Sequence, residues 1–376
     1  MNDAATTVGR VVAFVVGVYL VQAVLRSAIR TVVVPRGEQT KLTNKTFLGM
    51  RLVYTSFANR RRSTEERDRL MARYAPTTLL VLASFWAFGV IIGFVPLYWA
   101  AGVHDFKECV YMSGSSITTL GVHTPTGPFE SALAFAEALI GLGIVALLIS
   151  YLPTIYTLFS RRETDVVKLD VRAGSPPTAL EMLTRYQRIS WLEHLDETWA
   201  DWEHWFALVE ESHTSFPALV HFRSQRPNSS WITCAGAVLD CAAISMSLLD
   251  LPFEQPQAGI TLRSGYMALR SVAGYFGVPI DLESAPNAPI SIYREEFLLL
   301  CDDLASQGIP LKADREQAWR DFAGWRVNYD QALLALCALV TAPATPWSSD
   351  RADHFHPPTL LHPHWSIAAS DMPPSW

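Results

Sequence analysis

The sequence predicts an all-α membrane protein in which transmembrane helices and a re-entrant segment are followed by an all-α cytosolic domain. Three observations predict it. Half of the 376 residues are apolar and the mean hydropathy is +0.17, more than a wholly water-exposed fold carries. Long runs without charge occupy the first 160 residues. The second half instead reads as helical patterns of ordinary length separated by turn clusters.

The first apolar run, "VVAFVVGVYLVQAVL" at 11–25, is short before Arg26. Arg26 and Arg30 can snorkel to an interface, and apolar residues continue to Val34. Residues 1–34 are therefore expected as an N-terminal transmembrane helix. A cleaved signal peptide fits less well, because the start carries little charge and no small-residue cleavage site follows the run.

Residues 35–76 are expected as a basic cytosolic linker. Its ten basic residues are Arg36, Lys41, Lys45, Arg51, Arg60, Arg61, Arg62, Arg67, Arg69 and Arg73, whereas 104–130 holds only Lys107. Such a bias sets orientation: the basic loop lies inside, 104–130 outside and the C-terminal half in the cytosol of a multi-pass cell-membrane protein.

Two further spans flank that outer loop. Residues 74–103 contain no charged side chain, and 131–160 contain only Glu137 before stopping at Arg161 and Arg162. About 20 helical residues cross a hydrocarbon layer of about 30 Å, so both runs suffice. Glu137 is expected either to face a cavity or partner at membrane depth or to sit near the outer boundary.

Between the two spans lies "SGSSITTLGVHTP" at 113–125, and residues 105–119 can dip back as a short half-helix. Non-helical backbone at membrane depth is tolerated only where protein covers it or it lines a watery path. With Thr118, Thr119, Leu120 and Gly121 following directly, residues 77–162 resemble the pore module of the potassium channel family: outer helix, pore helix, filter and inner helix.

The resemblance implies a filter of Thr118, Thr119, Leu120, Gly121, Val122 and His123. Thr119 is expected to offer hydroxyl and carbonyl to the ion, and Leu120, Gly121 and Val122 carbonyls that replace its hydration shell. The side chains of Leu120 and Val122 are then expected to pack behind the filter. It also implies a gating hinge at Gly143, beside Gly141, a bend at Pro153 and a homotetramer, since one chain supplies one filter strand. Three departures bear on selectivity, one of them Thr124 where the family commonly carries an acid. Val122 stands where the family carries an aromatic residue, and His123 where it carries a second glycine.

Residues 163–346 are expected as the helical cytosolic domain, entered through a linker containing Gly174, Pro176 and Pro177. Helices are expected at 178–213, 228–250, 257–276, 290–307 and 313–342. Residues 231–251 approach the length of a span, but Asp240 in mid-run favours a buried helix of a water-exposed bundle. Five cysteines without a CxxC read as reduced, buried thiols.

No enzyme signature appears. Asp201 with His204 and Glu210 with His213 have ligand spacing but share one helix, whereas a dimetal bundle draws such pairs from facing helices. His354, His356, His362 and His364 lie in a proline-rich tail, 347–376, expected to be disordered rather than metal-binding. A net charge of -6 gives no footprint for nucleic acid. The expected function is a potassium or weakly selective monovalent cation channel, with lipid and the permeant potassium ion as companions and no resident cofactor. The alternative is a non-conducting channel-like membrane protein that senses or binds an unknown partner through its cytosolic helices.

Overall fold

The computed structural model describes residues 2–34, 41–61, 63–226, 228–281, 285–360, 362 and 364–367. The protein is mostly α-helical, with 13 α-helices among the described residues. Three helical stretches are long and apolar enough to cross a membrane: Thr6–Val32, Glu66–Ala101 and Pro128–Ala173. The chain divides into two compact units, one from the N-terminus to Arg51 with Ala75–Thr157, the other Leu52–Tyr74 with Leu158 to the C-terminus.

In the first unit, helix α1 (Asn2–Val32) packs on α4 (Tyr74–Ala101) through small residues. A Cβ at Gly17 would lie 2.7 Å from the Gly93 carbonyl oxygen, and one at Gly93 would lie 2.7 Å from Val21 Cγ2. The two backbones thus approach closely, as glycine allows between helices in lipid. Trp86 Nε1 donates to Ser27 Oγ at 3.3 Å across the same face. Helix α5 (Phe106–Ile117) follows, capped by Asp105, whose carboxylate accepts from the Lys107 amide at 3.2 Å. At 1.5 Å per residue it is about 18 Å long, too short to span alone.

Helix α6 (Pro128–Ala173) has 46 residues, about 69 Å, more than twice the hydrocarbon layer. The expected linker after 162 is its last turns. Val166, Leu169 and Ala173 form a buried stripe at helical spacing in the second unit, which holds the helix until Gly174 ends it at positive φ. Pro153 lies inside this helix without interrupting it. Nearby, the Thr154 hydroxyl donates to the Ser150 carbonyl at 3.0 Å.

The basic segment after α1 is likewise helical where described, as α2 (Lys41–Ala58) and α3 (Thr64–Ala72). The second unit continues with α7 (Ala179–Arg188), α8 (Leu195–Ser215), α9 (Trp231–Ser247), α10 (Pro256–Tyr275), α11 (Arg294–Ser306), α12 (Arg315–Arg326) and α13 (Asp330–Val340). Helix α9 is at the centre, buried along nearly its whole length and only 17 residues long. A Cβ at Gly265 of α10 would lie 2.4 Å from Leu239 of α9 and 2.9 Å from Phe206 of α8, so three helices meet there. All five cysteines are free and buried.

Two expected helices are broken. The 178–213 stretch turns at Ile189–Trp191, with Ser190 at φ +53. The 313–342 stretch breaks at Val327–Tyr329, where the turn lets three side chains converge in the core. Arg326 Nη1 lies 2.5 Å from Asp240 Oδ1 and its Nε lies 2.7 Å from Asp330 Oδ1, while Tyr329 donates to Asp240 Oδ1 at 2.8 Å. Asp240 is buried in mid-helix because it is paired.

Regular structure occurs within the segment 347–367 of the expected tail. A 3-10 turn at Ser349–His354 leads into β1 (Phe355–His356), which pairs antiparallel with β2 (Ser366–Ile367). Phe355 is buried, and Trp365 Nε1 donates to the Phe276 carbonyl at 2.8 Å. Aromatic side chains outweigh the proline content here. Residues 368–376 of that tail lie outside the described residues.

At the head of the second unit, Arg162 of α6 is buried. Its Nη1 donates to the Leu219 carbonyl at 3.0 Å and its Nη2 to the Phe222 carbonyl at 2.7 Å. Nη1 also lies 3.1 Å from His213 Nε2. A guanidinium only donates, so Nε2 accepts and Nδ1 carries the proton toward the Val209 carbonyl, 3.0 Å away. Burial and the adjacent guanidinium hold the His213 pKa well below the usual imidazole value.

Candidate functional site

The site is built on Glu137, buried on α6. Its Oε1 accepts from Ser113 Oγ of α5 at 2.5 Å, and its Oε2 from the Tyr98 hydroxyl of α4 at 2.9 Å. The Tyr98 oxygen also lies 3.2 Å from Ser116 Oγ of α5. One acidic side chain thus fastens the short helix between the two long ones. In a low-dielectric setting such satisfied polar contacts fix geometry strongly. Glu137 thus faces partners within the first unit.

A second contact holds the other end of α5. A Cβ at Gly141 would lie 2.2 Å from the Ile117 carbonyl oxygen, so only glycine lets α6 press against the C-terminus of α5. Gly143 meets nothing within 4 Å. The packing glycine is therefore Gly141, and Gly143 borders open space within the chain.

The segment leaving α5 turns sharply. Leu120 N donates to the Ser115 carbonyl at 2.9 Å and Thr119 N to the Ser116 carbonyl at 3.0 Å. Positive φ occurs at Thr119 (+56) and Gly121 (+71) but not at Leu120 between them. A β-branched residue in this region is strained by about 1–3 kcal/mol and persists where its surroundings over-determine it. The Thr119 hydroxyl donates to the Thr118 carbonyl at 2.7 Å. His123 has no positive φ; its amide donates to Ser115 Oγ at 3.1 Å and its ring stacks on Tyr111, centroids 5.3 Å apart. The loop then closes on Glu130, whose Oε2 accepts from the Thr126 amide at 2.9 Å and the Gly127 amide at 3.1 Å.

The side chains of Leu120 and Val122 do not pack behind the loop as expected: they are 71% and 69% exposed. The buried face of α5 is occupied by its contacts with α4 and α6, and the loop passes beyond its end, held there by the backbone of Ser115 and Ser116, the Ser115 hydroxyl and the Tyr111 ring. Thr118 to His123 therefore form one continuous, largely exposed strip, with Gly143 and Pro153 further along α6.

The chain matches no protein-family model, no curated protein and no solved structure.

Sequence reasoning missed the partners of Glu137. The signal was present: Ser113, Ser115 and Ser116 crowd one turn of an amphipathic short helix, an unusual hydroxyl density opposite an acid at membrane depth. Among the described residues no group of three or more His, Cys, Asp or Glu side chains is placed to hold a metal. His213, considered with Glu210, is engaged by Arg162 instead.

Proposed function

We propose that the chain forms a tetrameric pore for monovalent cations, with potassium as the expected permeant ion and weak selectivity. The observation that carries this reading is the pinned strip after α5: a half-length helix fastened by Glu137 between two long apolar helices, ending in a segment whose φ alternates in sign through Thr119, Leu120 and Gly121. Alternation of that kind turns successive carbonyls toward one side, which a dehydrated cation requires. In this reading α5 is a re-entrant pore helix, α4 the outer helix and α6 the inner helix. The exposed Leu120 and Val122 are covered by neighbouring subunits around a fourfold axis.

The alternation ends at Gly121, because His123 keeps ordinary backbone geometry. Fewer carbonyls then line the ion path, which supports weak rather than strict selectivity. By the distribution of Lys and Arg, the α2–α3 segment and the second unit lie in the cytosol of a cell-membrane protein. The mass of the purified protein in lipid nanodiscs tests the assembly: four chains per particle are expected, and a monomer or dimer sinks the pore.

One observation favours a second reading, a non-conducting scaffold that acts through its cytosolic helices. His123 is held by Ser115 and Tyr111 rather than free to line a path. Cation flux separates the two.

A further inference from the structure

A cavity of about 300 Å³ opens in the second unit at the N-terminus of α9. Three features of its wall point to an anion. The first-turn amides of α9 have no intrahelical acceptor, and the residue in the cap position, Ser230, makes no side-chain cap bond although only 6% of it is exposed. Ser224 Oγ, also in the wall, is buried without a hydrogen-bond partner. Three guanidinium groups, Arg69, Arg223 and Arg226, line the cavity against one carboxylate, Asp68.

The charges are arranged unequally. Arg223 is committed: its Nη1 binds Asp68 Oδ1 at 2.6 Å and its Nη2 the carbonyls of Val340 and Thr341 at 2.9 and 2.6 Å. Arg226 is half-exposed and makes an ion pair at 3.2 Å with Asp170, which also accepts from Ser229 Oγ at 2.9 Å. Asp68 thus has a counter-charge already, while hydroxyls, amides and the Arg226 side of the cavity have capacity for an acceptor. Ala72, Val220 and Val340 supply an apolar wall for a carbon body. The volume lies at the lower end of ligand cavities, which run from about 300 to 1,000 Å³.

We propose that this cavity binds the phosphate group of a small soluble metabolite, seated on the α9 N-terminus with Ser230, Ser224 and Arg226 as donors. A helix N-terminus suits such a group because its amides and dipole both favour negative charge. Its occupancy is communicated to α6. The segment that walls the cavity, Phe222–Arg226, is tied to α6 by Arg162 through the Phe222 carbonyl, and Arg162 lies 5.5 Å from the centroid of Trp231, the first residue of α9.

Calorimetry on the full chain in uncharged phosphatidylcholine nanodiscs, with inorganic phosphate and adenosine 5′-monophosphate as probes, tests this. Binding of the monophosphate, tighter than of inorganic phosphate, is expected. Arg226→Gln should weaken it about tenfold, the loss of one charge-assisted hydrogen bond. Ser230→Asp should abolish it, since Asp caps a helix as well as Ser and keeps the fold while placing a carboxylate where the phosphate sits; an unchanged melting temperature verifies the fold. Slower amide exchange at 158–166 on binding supports the link to α6. Absence of binding by either probe, or binding undiminished in Ser230→Asp, overturns the site. Competition by an anionic phospholipid added to the nanodiscs overturns the soluble source in favour of a lipid headgroup, and exchange unchanged at 158–166 overturns the link.

Discussion

Glu137 accepts from Ser113 and from Tyr98, one partner per carboxyl oxygen, so a single side chain of α6 holds α5 and α4 at once. Replacing it with Ala removes the nearer acceptor of two buried hydroxyls, leaving Tyr98 with Ser116 Oγ at 3.2 Å and Ser113 with the Ile91 carbonyl at 3.5 Å, a loss of up to about 1–3 kcal/mol for each group. Glu137→Ala should therefore melt markedly earlier in detergent than the parent. Glu137→Gln keeps a carbonyl acceptor and should lose less. Equal melting of parent and Ala variant would show that α5 is held by other contacts.

The neighbouring glycines of α6 make opposite predictions. Gly141→Ala drives a methyl into the Ile117 carbonyl, 2.2 Å away, and should dislodge α5 or unfold the first unit. Gly143→Ala meets nothing within 4 Å and should leave thermal stability unchanged or slightly raised, as alanine favours helix. A conduction change in Gly143→Ala without a stability change marks a hinge role, whereas a stability loss equal to that of Gly141→Ala contradicts the packing described above.

The architecture was legible where composition alone decides it. Charge-free runs long enough to span lipid declared α4 and the first part of α6, and Asp240 in mid-run declared α9 a protein-covered helix. Elements set by tertiary contacts were not legible. The turn at Ser190 carries no glycine or proline, and the break before Asp330 lets Arg326 and Tyr329 reach Asp240 while Arg326 also pairs with Asp330. Continuation of α6 past Arg162 was hidden because Val166, Leu169 and Ala173 are buried only in the core of the folded second unit. At the candidate site the strip Thr118–His123 was named from its residues, but its anchor at Tyr98 and Ser113 arises from the tertiary packing of α4, α5 and α6.

The buried Arg326 cluster should behave as a unit. Arg326→Leu leaves Asp240 and Asp330 without their shared cation, and breaking a buried pair from one side costs about 3–5 kcal/mol. Chemical denaturation followed by tryptophan fluorescence should show that loss in the second unit, and a loss below about 1 kcal/mol contradicts the pairing.

Acid should destabilise the second unit through His213. Its folded pKa is held well below the unfolded value of about 6.5, so the folded and unfolded chains carry the same neutral ring above that pH. Below it the unfolded chain takes up a proton that the folded chain refuses. Stability then falls by up to about 1.4 kcal/mol per pH unit until the folded pKa is reached. His213→Gln should flatten this part of the profile in unfolding titrations between neutral and mildly acidic pH. A parallel profile would assign the acid sensitivity to other groups.

The central claim is that Thr118 to His123 line an ion path. Potassium and sodium flux into liposomes holding the purified protein tests it most directly, beside Gly121→Ala, which forces a methyl onto a backbone at φ +71. Flux of both ions, with potassium favoured, that is lost in the variant is the predicted result. Absence of flux from well-folded tetramers, or flux unaltered by Gly121→Ala, contradicts the account.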